Sequence, residues 1–215
     1  RLGTGESHVL FLHGGYGQSN YWARQAEALA GRFRVTLLDT RGHGRSPVVS
    51  GRYGFGLFAA DVVALMDDLA IARAAIVGWS DGGITGLELA TTRPDRVSRL
   101  VAFGANATPD GLIGGGSRTP VFSGYAARCA TAYKTLSPHP ERWPELNAGL
   151  AAMWRREPNF SDDRLAAIRA PTAILAAEHD EIIRPAHADH LARTIPGARR
   201  VTLKAVSHFA MLQDP

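Results

Sequence analysis

Cysteine occurs once in 215 residues, at Cys129, which excludes an internal disulfide framework and any multi-cysteine metal site. Lysine is almost as scarce: Lys134 and Lys204 are the only two among 24 basic residues, the rest being arginine. Those arginines are scattered, no basic run forms, and the formal net charge is only +4, so a nucleic-acid partner is not expected. No charge-free apolar stretch reaches the roughly 18 residues a membrane span needs. There is no internal repeat. What the chain does have is apolar content, 45% against 20% charged, enough to offset chain entropy in one globular domain.

Short apolar runs alternate with amphipathic stretches of helix length. His8–Leu12, Arg34–Asp39, Ala74–Gly78 and Val97–Phe103 read as buried strands, separated by helices over Trp22–Leu29, Phe58–Leu69 and Ile84–Thr92. Continuous apolar strands in βαβ order predict a mostly parallel sheet with helices on both faces. The rhythm breaks after Phe103. About sixty residues, 105–164, hold Gly114-Gly115-Gly116, several prolines, two of the four tryptophans and two helical stretches, Tyr125–Leu136 and Pro144–Arg156. This segment is expected to be an inserted helical cap, with the core formed by residues 1–104 and 165–215 of a single domain. The sheet resumes at Thr172–Ala176, followed by a helix over Pro185–Thr194 and a strand over Arg200–Leu203. Both ends read as trimmed, since a first strand begins at residue 8 and a helix is starting at Met211–Pro215.

Chemistry concentrates at strand ends. Gly78-Trp79-Ser80-Asp81-Gly82 sits between a strand and a helix, where flanking glycines permit the sharp turn that lifts a serine hydroxyl above the sheet. A serine needs a base, and the base an orienting acid. Glu178-His179-Asp180-Glu181 and Ser207-His208 follow the two later strands and supply both, in the order Ser80, Asp180, His208. Asp180 is preferred over Glu178 and Glu181 because it lies further into its loop than Glu178. Two backbone donors are expected for the oxyanion: the N–H of Asp81, and one from His13-Gly14-Gly15-Tyr16-Gly17, first Gly15 and second Tyr16. A dinucleotide fingerprint in that loop fails on spacing, since Asn20 stands where the third glycine should be. Asp39 and His43 read as holders of a glycine-rich turn, His187 and His190 as a solvated helix face and not a metal pair, and Cys129 as a small apolar residue of the cap.

The segments HGGYG, DTRGHGRS, GWSDGG, AEHDEIIRP and SHFAML together resemble the α/β-hydrolase superfamily along nearly the whole chain. GWSDGGITGLELA followed by Phe103-Gly-Ala-Asn106 is similar, more narrowly, to the biphenyl-hydrolase-like or valacyclovir hydrolase group. The resemblance implies the α/β-hydrolase fold and a cofactor-free, metal-free hydrolase acting on a small molecule, and it implies that Asp81 binds the amino group of α-amino acid esters.

Asp81 also raises a physical question. A carboxylate about 6 Å from a developing oxyanion repels it by roughly 3 kcal/mol at an effective dielectric near 20. The helix-end benefit of a negative charge, about 0.3–1 kcal/mol, does not cover that. A cation at Asp81, such as a substrate ammonium, would. The expectation is therefore a cytoplasmic carboxylic ester hydrolase working through an acyl-enzyme, with Asp81, Tyr16 and Trp79 contacting substrate. A lactone or carbon–carbon bond hydrolase with the same triad, and a non-catalytic ligand receptor on the same fold, are the alternatives.

Overall fold

The computed structural model describes residues 1–48 and 51–215. Among these, six strands form one sheet: β1 (His8–Leu12), β2 (Arg34–Leu38), β3 (Ala74–Trp79), β4 (Val97–Phe103), β5 (Thr172–His179) and β6 (Arg199–Ser207), ordered β2-β1-β3-β4-β5-β6. Every neighbouring pair is parallel. The helices are α1 (Ala23–Ala30), α2 (Phe55–Asp68), α3 (Asp81–Thr92), α4 (Pro120–Leu136), α5 (Trp143–Trp154), α6 (Asp162–Ala166), α7 (Pro185–Thr194) and α8 (Ala210–Gln213). The α/β-hydrolase fold expected from the sequence is the fold observed.

β1 shows why the strands are apolar throughout. Val9, Leu10, Phe11 and Leu12 are each at most 4% exposed. Successive strand side chains point to opposite faces, so an unbroken buried run means that both faces are covered. β1 lies between β2 and β3, with Val9 opposite both Val35 and Ala75. At the β2 margin, Leu2 makes an antiparallel bridge to Val35, exchanging N–H···O bonds of 2.9 and 2.8 Å. At the other margin β6 carries Arg199, Arg200 and Lys204.

Several elements run past their expected bounds. α3 begins at Asp81 and not Ile84, because the two intervening glycines already take helical geometry directly after Ser80. α4 begins at Pro120, five residues before the apolar pattern; Thr119 caps it by accepting the Phe122 N–H at 3.2 Å, and proline suits the first helical position. β5 and β6 extend to His179 and Ser207, joined beyond an irregularity at Ala177/His179. The short α6, near the end of the 105–164 segment, was not anticipated.

α3 is the most deeply set helix, with nine of its 12 residues buried. Three of them are glycines, each unfavourable in a helix by about 1 kcal/mol relative to alanine. Packing explains Gly82: a methyl group there would lie 2.1 Å from the carbonyl oxygen of Leu12. The N-terminus of α3 thus seats directly on the end of β1. Gly82→Ala should destabilise the protein by about 2–3 kcal/mol in urea unfolding, as backbone cannot yield to the new methyl. Gly56→Ala, at an exposed α2 position with nothing within 4 Å, should be neutral or stabilise by up to about 1 kcal/mol. Equal effects at both sites would refute the close-seating account.

Candidate active site

Ser80 stands between β3 and α3 with φ 53° and ψ −120°, a left-side conformation that L residues rarely adopt. Its N–H donates to Phe103 O at 2.8 Å, and its carbonyl accepts from Ile84 N at 2.9 Å. Both flanking glycines of the motif are required by contact. A methyl on Gly78 would lie 2.2 Å from Gly82 O, so strand end and helix start approach more closely than any side chain allows. The turn is held from all sides, and the hydroxyl is left facing a cavity.

That cavity has a volume of about 460 Å3 and is lined by Ser80, His208, Gly15, Tyr16, Trp79 and Asp81 among others. His208 is buried, and its Nδ1 lies 2.9 Å and 3.1 Å from the two carboxylate oxygens of Asp180. Asp180 Oδ1 also accepts the N–H groups of Ile182 and Ile183 at 2.9 and 2.8 Å. Burial works to raise the Asp180 pKa; the His208 charge and N–H, with the two amides, outweigh it and hold the carboxyl below its usual value. A carboxylate therefore faces Nδ1, which places the proton there and leaves Nε2 as the basic nitrogen. The other acids are engaged elsewhere. Glu178 binds Lys204 Nζ and Ala205 N on β6, and Glu181 accepts the backbone N–H of His208.

Two features bring His208 into place that the sequence reading did not single out. Gly104, just past β4 with φ 60°, has no side chain; a methyl there would lie 2.8 Å from His208 Cε1. Trp79 Nε1 donates to His208 O at 2.8 Å, and its ring packs on His208 and Phe209. Trp79, expected to contact substrate, lines the cavity and also supports the histidine loop.

The loop after β1 faces Ser80 from the other side. A methyl on Gly14 would lie 3.1 Å from Ser80 Cβ. Neither Gly15 nor Tyr16 donates its amide elsewhere among the described residues, and the N–H of Asp81, at the first position of α3, has no intrahelical acceptor. His13 Nε2 accepts from Thr40 N at 3.0 Å, so its Nδ1 carries the proton donated to Gly14 O at 2.8 Å. Asp39 accepts from Ser19 N at 2.6 Å and Arg45 N at 2.9 Å, and His43 Nδ1 meets Arg41 O, all within the turns. His187 takes Ala107 N on Nδ1, while His190 Nε2 is 3.1 Å from Asp162.

Asp81 is buried, and both its oxygens accept the Trp154 indole N–H, at 2.9 and 3.0 Å. Burial pushes its pKa up to about 7, against the lowering influence of Trp154 and His208. Near neutrality the carboxyl is thus divided between charged and neutral forms, which relieves part of the oxyanion repulsion expected from the sequence. Trp154, at the end of α5, also covers Gly15 and meets Tyr16 edge-on at 5.2 Å. No local sequence signal ties Trp154 to Asp81, 73 positions away. Trp154→Phe should move the Asp81 ionisation further above 7, because the indole N–H is a lowering influence; a carboxyl-selective NMR titration reads this, and an unchanged midpoint would contradict it.

Known proteins resemble this chain in sequence and in fold. A family model for the alpha/beta hydrolase fold matches residues 7–132. The serine hydrolase BPHL of Mus musculus is 30% identical over 212 residues, covering 93% of this chain and 72% of that protein. A Caulobacter sp. (strain K31) protein named as a carbamate hydrolase, RutD, is 41% identical over 103 residues; the match spans 47% of this chain and only 38% of that relative's length. The solved enol-lactonase of Burkholderia xenovorans LB400 superposes with a TM-score of 0.75 at 27% identity, covering 98% of this chain and 87% of that one. With its parallel sheet, its serine turn and these matches, the chain belongs to the α/β-hydrolase family.

Proposed function

We propose that this protein cleaves a small-molecule carboxylic ester through an acyl-enzyme on Ser80, without metal or cofactor, and that it prefers α-amino acid esters. The observation that carries this reading is the Asp180–His208 pair, buried beside the cavity onto which the strained Ser80 turn opens. His208 Nε2 takes the Ser80 proton as Oγ attacks the carbonyl carbon. The resulting oxyanion is received by the N–H of Asp81 and by an amide of the His13–Gly17 loop, that of Gly15 or that of Tyr16. His208 then returns the proton to the departing alkoxide oxygen, the carbon–oxygen bond breaks, and the acyl group stays on Ser80. Water, deprotonated by His208, attacks the acyl-enzyme and releases the acid and free Ser80. The segment between β4 and β5 acts as the lid: Asn106, Phe122, Tyr125 and Trp154 line the cavity and set substrate choice.

The relatives leave the bond type broader than ester. One is named for carbamates and one for an enol-lactone, and the same triad serves both chemistries. A panel of α-amino esters, plain esters, lactones and carbamates separates them. A fluorophosphonate should label Ser80, and Ser80→Ala should lose activity by at least about a thousandfold. Labelling elsewhere with Ser80→Ala fully active would sink the mechanism.

Asp81 supplies the amino-group preference. A substrate ammonium 3–4 Å from its carboxylate gains a charge-assisted hydrogen bond of roughly 1.5–3 kcal/mol. Asp81→Asn should therefore cut kcat/KM for α-amino esters by about ten- to a hundredfold and leave des-amino esters unchanged or faster. The pH sign follows. The ammonium needs the charged carboxylate, which is protonated below about 7, so the amino-to-des-amino rate ratio should rise as pH increases toward 7 and fall again as the substrate α-amino group loses its proton at about 8. A flat ratio, or equal losses on both esters in Asp81→Asn, would make Asp81 only a helix-end carboxylate.

A further inference from the structure

The loop His13–Gly17 has glycine at positions 14, 15 and 17, so side chains can hold little of it. Its carbonyls are held instead. Gly15 lies between two peptide planes. The first, which bears the Gly15 N–H, is fixed through Gly14 O by His13 Nδ1 at 2.8 Å and by Gly17 N at 3.0 Å, both from within the loop. The second bears the Tyr16 N–H and is fixed through Gly15 O by the Tyr125 hydroxyl at 2.8 Å. That clamp comes from α4, 110 residues away in sequence. Tyr16 itself has φ 62°, an unfavourable conformation for a bulky residue, so this plane does not stay in place by backbone preference.

Tyr125 is built for this contact. It is only 2% exposed, and its ring is wedged between Trp79 at 5.6 Å and Phe209 at 4.7 Å, the residues beside Ser80 and His208. One helical turn on, Cys129 Sγ lies 3.3 Å from Tyr21 Oη, and the Tyr21 ring packs on that of Tyr125 at 5.9 Å. Burial raises the pKa of all three, so all three protons stay in place at neutral pH.

We propose that Tyr125 is a positioning residue for the oxyanion site: through the Gly15 carbonyl it fixes the Gly15–Tyr16 peptide, so that transition-state stabilisation depends on α4 being seated on the core. The inference rests on the serine-hydrolase reading, and labelling of wild-type Ser80 with turnover of a p-nitrophenyl ester is that reading's own control. Tyr125→Phe removes one oxygen and keeps the ring. With the control satisfied, it should lower kcat by about ten- to thirtyfold with KM within about twofold. The affinity of an arylboronic acid, whose tetrahedral adduct on Ser80 places an oxygen in the oxyanion site, should weaken by a similar factor. Tyr21→Leu removes the ring that packs on Tyr125 at 5.9 Å and should lower kcat by about two- to fivefold with boronate affinity weakened alike; it also provides the readout if Tyr125→Phe does not fold. Unchanged kcat in the variants, or a fall in kcat with boronate affinity unaltered, would overturn the proposal and leave Tyr125 as packing.

Discussion

The site depends on one steric constraint, the approach of α3 to the ends of β1 and β3 at distances no side chain permits. Gly78 meets Gly82 O, and Gly82 meets Leu12 O, across gaps where a methyl would sit 2.2 and 2.1 Å from oxygen. Because strand and helix are that close, Ser80 has no relaxed conformation available and is held at φ 53°. The same seating brings the start of α3 beside the Gly14–Gly15 loop. It gathers free amides from two segments around one hydroxyl, with no side chain needed to place them. Several neighbours of Ser80 are glycine because backbone itself forms the wall.

Electrostatics then divides the carboxylates. Asp180 and Asp81 are both withdrawn from water, yet burial has opposite outcomes. Asp180 has a histidine ring and two amides to answer its charge, and stays ionised. Asp81 has one neutral indole N–H shared between its two oxygens, and is held near half-ionisation at neutral pH. A buried carboxylate with only a neutral partner is poised for a cation. The sequence places a charge beside Ser80; its neighbours in space decide how much of that charge is present.

Legibility in the sequence followed distance along the chain. The parallel sheet could be read because each strand is a local apolar run, and the serine turn because its glycines lie two residues away on either side. Asp180 and His208 could be read because strand ends in this topology converge. Trp154 and Tyr125 could not. Each acts through a contact 73 or 110 residues distant, and the helices carrying them show only ordinary apolar spacing. Gly104 was equally silent, since a glycine after a strand gives no hint that a histidine ring lies against it. The 105–164 segment is marked in the sequence only by what it lacks, a buried strand, and such a signal carries no information about contacts.

The two margins of the sheet are finished differently. An unpaired strand edge is a template for another chain, and folded proteins blunt such edges to stay monodisperse. At β2 the outer backbone groups of Val35 are already taken by Leu2. At β6 long charged side chains line the outermost strand, with Arg200 held by Asp189 at 3.1 Å and Lys204 by Glu178 at 2.8 Å. A second copy aligning there would strip water from these ion pairs, a cost that guards this margin and that the one closed by Leu2 does not need.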